Sequence, residues 1–170
     1  MSRSRWAVVV GALVALVSTW MRYPQSVDRV VLAALVLGGG MQAESDLRTR
    51  HVPRFVTYVM AAVIVSMIAV TGTVEVSVII AAAAVAVGFF VAHRWRRHAL
   101  GFGDVLLAPV VALYVGWFDV AAIALWLLGA SVIAALGAGV RQRRSVAFVP
   151  SMVASALITI LYIGVPTYSG

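Results

Sequence analysis

Apolar residues run in long blocks along this chain, at about 6–21, 29–44, 55–74, 76–93, 103–117, 119–140 and 147–166, and most charged residues fall between them. A helix of about 20 residues crosses the roughly 30 Å hydrocarbon core of a bilayer with its backbone polar groups satisfied internally. The pattern predicts an all-α polytopic transmembrane helix bundle of six to seven spans. The first, second and fifth blocks are short for a bilayer, so they are expected to be tilted, locally thinned around or partly inserted. Ser2 to Arg5, followed by the apolar stretch from Trp6 to Val17, resembles the start of a signal peptide. No small-x-small cleavage site follows, and the stretch is expected to remain as a first helix. Residues 1–28 are read as an extra N-terminal span and residues 29–170 as the core of a single membrane domain.

Composition agrees. The chain is 63% hydrophobic and 11% charged, with a mean hydropathy of +1.03, where a soluble domain is about half apolar and a quarter charged. A net charge of +7 invites a nucleic-acid reading, but all thirteen basic residues are Arg in short clusters, with no nucleic-acid-binding motif. No nucleic-acid partner is expected.

Topology explains the arginines better, because cytoplasmic loops collect them. With the N-terminus cytoplasmic, Arg3, Arg5, Arg48, Arg50, Arg54, Arg94, Arg96, Arg97, Arg141, Arg143 and Arg144 fall inside, and only Arg22 and Arg29 outside. Small residues recur at Ala81 to Ala84 with Gly88, and at Ala130, Ala134 and Ala138, where ordinary close helix packing accounts for them.

Cysteine is absent, which removes thiol nucleophiles and Cys-ligated zinc. His51, His93 and His98 are expected in Arg-rich loops without metal-ligand spacing. Ser18, Ser66, Ser131 and Ser151 sit where hydroxyls bond a preceding carbonyl, and no Gly-x-Ser-x-Gly arrangement exists. The chemistry rests on six acids. Asp28, Glu75 and Asp119 are expected at outer loops, solvated or capping helices. Glu44, Asp46 and Asp104 lie at the expected cytoplasmic boundary, where ionisation is costly unless paired.

Asp46 opens the segment Asp46-Leu47-Arg48-Thr49-Arg50-His51-Val52-Pro53, in which it is read as a loop acid beside three arginines or as something more. Pro53 is expected to begin the next span, where its missing N–H costs little. Asp104 closes Gly101-Phe102-Gly103-Asp104 just ahead of an apolar helix, as a plain N-cap or a functional acid. One span leaves and one returns between the two, so both carboxylates reach the same face. Two carboxylates brought together cannot both ionise easily, and such a pair can activate water with one member and polarise a carbonyl with the other.

These two segments resemble the type IV prepilin peptidases, which with the archaeal preflagellin peptidases form the GxGD membrane aspartyl proteases. In that family an aspartate lies a few residues before an Ile-Pro or Val-Pro step, and a second ends the GxGD motif. The order and the two intervening spans match from about Asp46 to the C-terminus. The resemblance implies that Asp46 and Asp104 are catalytic, with Gly101 and Gly103 supporting the motif and no metal or cofactor required. The chain departs at Arg54, where members often carry Asn, and at Leu106, where they often carry Lys. It looks like the short form without the methyltransferase region. The implied substrate is the basic leader and apolar helix of a pilin-like precursor, cut at the cytoplasmic face of the plasma membrane. Glu44 is then a candidate leader contact, and membrane lipid the other partner. From the residues alone, a small transporter or ion-conducting subunit using the same carboxylates remains the main rival, and a non-catalytic assembly partner a third reading.

Overall fold

The computed structural model describes residues 26–49, 51–95, 101–141 and 148–163. The extra span expected within 1–28 therefore lies almost wholly outside the described residues. Six helices follow: α1 Ser26–Thr49, α2 Arg54–Thr71, α3 Val76–Trp95, α4 Phe102–Gly116, α5 Val120–Arg141 and α6 Val149–Ile163. No strand occurs among the described residues, and the all-helical expectation holds.

The block expected at 29–44 is the middle of a longer helix. α1 continues through Glu44, Ser45 and Asp46 to Thr49. The Glu44–Arg48 ion pair at 3.5 Å spans one turn there, and the Thr49 hydroxyl donates to the Ser45 carbonyl at 2.9 Å. At 24 residues the helix is about 36 Å long, ample for a bilayer. It ends before Val52-Pro53 because proline disfavours the α conformation in the residue ahead of it. Pro53 is the N-cap of α2, with φ −70° and ψ 109°, one place earlier than expected. Gly72 closes α2 at φ +61°, a left-handed conformation suited to glycine, and its N–H donates to the Ile68 carbonyl at 2.9 Å.

α1, α2, α3 and α5 are long and apolar enough to cross a membrane. α4 and α6 have 15 residues each, about 22 Å, shorter than the hydrocarbon core. α4 is the central helix of the bundle, and α6 buries one side against α1, α4 and α5. α4 packs against all five other described helices, and ten of its residues are buried. A helix apolar all round belongs in such a place. α2 and α3, although consecutive, make few contacts with each other and are held through α4. Their outer faces expose Phe55, Val70, Ile80 and Val87, a surface suited to lipid and not to water.

Buried polar groups tie the helices together. The Tyr114 hydroxyl on α4 donates to the Met60 carbonyl on α2 at 2.8 Å. The Trp126 indole donates to the Met152 carbonyl at 2.9 Å, while the Ser155 hydroxyl donates back to the Trp126 carbonyl at 2.8 Å, locking α5 to α6. Asp28, expected in an outer loop as a solvated or helix-capping acid, lies in the first turn of α1 and is 1% exposed. It accepts a 2.9 Å hydrogen bond from the Trp117 indole, because the start of α1 packs beside the end of α4. Glu75 and Asp119 stay exposed as expected, and Asp119 accepts from the Ala121 N–H at 2.8 Å as a helix cap.

Candidate active site

At the other end of the bundle the last turns of α1 approach the first turn of α4. Asp46 is 7% exposed and Asp104 8%. They are 58 residues apart in sequence, yet both are buried at the same end of the bundle, on helices that pack together. Both acids are helical. Asp46 is in the last turns of α1 and not in a loop, and Asp104 is the third residue of α4 and not its N-cap.

Gly101 is the N-cap. Its N–H donates to Asp104 Oδ2 at 3.0 Å, and its carbonyl accepts from the Asp104 N–H at 3.1 Å. The carboxylate is thus tied to the backbone three residues earlier, at the positive end of the helix dipole.

The connection after α1 packs against the start of α4. The Ser45 hydroxyl donates to the His51 carbonyl at 2.8 Å, folding the chain back over the helix end. Val52 then lies against Gly103, where an added Cβ would come within 2.7 Å of the Val52 Cβ. Neither atom is the end of a flexible side chain, so only glycine permits that approach. Gly101 differs. Its φ of −70° is ordinary, and an added Cβ would meet Asp104 Oδ2 at 3.3 Å, a tight but adjustable contact. The two glycines of the motif therefore have unequal roles.

Glu44 is two residues before Asp46, about 200° around the helix. It leaves α1 from another side, part-exposed and paired with Arg48.

Several neighbours escaped the sequence reading. Gln42 sits one turn before Asp46 on the same face of α1 and is fully buried. It donates to the Thr57 hydroxyl on α2 at 3.1 Å, and its Oε1 has no hydrogen-bond partner among the described residues. A polar residue four places before a suspected functional acid was the signal available. Phe102, the variable position of the glycine motif, is bracketed by the Arg54 guanidinium at 5.6 Å from the ring centre and by the His93 ring at 5.9 Å. His93 itself lies in the last turn of α3 and not in a loop, while His98 lies outside the described residues. Arg54, a departure from the family pattern, thus has a structural use.

A buried pair of carboxyl groups at one end of a helix bundle has the elements of acid–base hydrolysis: one group to take a proton from water, one to give a proton to a carbonyl oxygen. Residues 30–164 match the model of the type IV leader peptidase family. No curated protein and no solved structure matches the chain.

Proposed function

The chain belongs to the type IV leader peptidase family, and from that membership we propose a membrane aspartyl endopeptidase that removes the short basic leader of a pilin-like precursor just ahead of its apolar helix. The observation that supports the reading is that Asp46 and Asp104 are both buried at one end of the bundle, on helices α1 and α4 that pack together. One carboxylate draws a proton from water as the water oxygen attacks the scissile carbonyl. The other, protonated, hydrogen-bonds the carbonyl oxygen and supports the tetrahedral intermediate. The peptide C–N bond then breaks as the new amine takes a proton from the dyad, regenerating the shared-proton pair.

The arginines support a plasma-membrane location with this end of the bundle cytoplasmic. Arg48, Arg54 and Arg94 belong to helix ends on the same side as the dyad. An arginine-rich face does not attract a basic leader, so recognition rests on the apolar segment and on Glu44, the part-exposed acid near the dyad.

The test is co-expression with a precursor from the same genome that carries a basic leader and an apolar helix, following the precursor's size. Cleavage by the wild type, lost in both Asp46→Asn and Asp104→Asn with each variant still inserted, is the expected result. Cleavage at the normal rate by either variant overturns the dyad. Carboxylate-dependent ion flux without cleavage would favour the transporter reading instead.

A further inference from the structure

Outside the dyad, the lipid-facing side of α3 and α4 carries two apolar grooves that share one wall. The larger, about 420 Å³, lies between the helices and is lined by Val87, Phe90, Phe102, Val105, Leu106 and Pro109. The smaller, about 250 Å³, runs along α3 past Phe90, Val91, Arg94 and Trp95. Phe90 divides them. A pair of troughs on either side of one aromatic ring matches the two acyl chains of a single phospholipid.

The ends of the grooves nearest the dyad are not apolar. Arg94 lines the smaller groove, and Arg54 reaches over the ring of Phe102, which lines the larger. Trp95, 85% exposed, follows Arg94 at the depth where indoles settle at a membrane surface. Asp104 leaves α4 about 200° around the helix from Phe102 and is buried on the far side. One guanidinium thus lines the smaller groove and another stands over the ring that walls the larger, with no acid among the lining residues. Basic pockets between membrane helices take anionic headgroups, each cation near an anionic surface contributing about 1 kcal/mol, and a guanidinium suits a phosphate through bidentate hydrogen bonding.

We propose that this face is a binding site for one anionic diacyl phospholipid, with its chains on either side of Phe90 and its phosphate between Arg54 and Arg94. The site braces the end of α3 against the start of α4, and it stands whether or not the dyad is a peptidase.

The purified protein in nanodiscs of phosphatidylglycerol or of phosphatidylcholine with the same acyl chains tests it. A ligand bound by the folded state raises the melting temperature. The wild type is expected to melt several degrees higher in phosphatidylglycerol and to retain one such lipid in native mass spectrometry. Arg54→Gln/Arg94→Gln is expected to lose both effects, whereas Arg48→Gln, whose cation is on α1 and paired with Glu44, keeps them. An equal gain in the double variant, or no difference between the two lipids, overturns the proposal. So does an equal rise in detergent with inorganic phosphate, which would assign the guanidiniums to a free anion.

Discussion

Val52 and Gly103 touch so closely that position 103 has no room for a side chain, and through that contact the connection after α1 is seated on the first turn of α4, one residue from Asp104.

Gly103→Ala is therefore expected to impair cleavage far more than Gly101→Ala. Forcing a methyl into packed structure costs about 1–3 kcal/mol, and a misplacement of about 1 Å at a catalytic group costs about 10²-fold in rate. Adding Val52→Gly, which removes the Cβ that the new methyl meets at 2.7 Å, to Gly103→Ala should restore part of the loss, an interaction that a double-mutant cycle on precursor cleavage measures. Equal effects at the two glycines would contradict the contact.

Asp46→Asn and Asp104→Asn should each lower cleavage by about 10²–10⁴-fold, the contribution of a positioned acid or base. Because the two act as a unit, the double variant should be scarcely worse than either single one. Single-turnover kinetics on a precursor, with insertion checked separately, reads this directly.

Removing one partner of the buried Gln42–Thr57 pair should destabilise the bundle. Thr57→Val leaves the Gln42 amide without its 3.1 Å acceptor, at a cost of about 1–3 kcal/mol. Replacing both, as Gln42→Met/Thr57→Val, should recover much of the melting temperature, since apolar groups of similar shape need no partner.

Trp117→Phe removes the indole donor to buried Asp28, again about 1–3 kcal/mol. Asp28 and the dyad lie at opposite ends of α1, so the melting temperature should fall while kcat per folded molecule is kept. A fall in kcat without a fall in stability would couple the two ends.

Glu44→Gln should raise KM for a basic-leader precursor about two- to fivefold, the size of an exposed charge interaction, and leave kcat unchanged. Unaltered KM would remove Glu44 from leader recognition.

The helical class and the shared end of Asp46 and Asp104 were legible because bilayer length and the number of spans between two residues are one-dimensional signals. The ends of the helices were not. Ser45 and Asp46 look like loop residues by polarity, yet they prolong α1 through i,i+4 bonds until Pro53 ends it. Asp28 looked like a solvated or helix-capping acid because nothing local announces Trp117, 89 residues away. α4 looked like a short span, and its length follows from being interior, a fact about five neighbours and not about its own residues. The unequal roles of Gly101 and Gly103 required knowing what faces each one.

α1 packs against α6 as well as α2, so the first described helix leans on the last. A ribosome delivers Asp46 early and Asp104 later, but α1 gains the support of α6 only when that helix enters the membrane. A nascent chain paused before that point holds both acids on an open framework, and a truncated product lacks the wall that completes it. The order of synthesis therefore supplies Asp46 first, Asp104 second and the support of α6 after both.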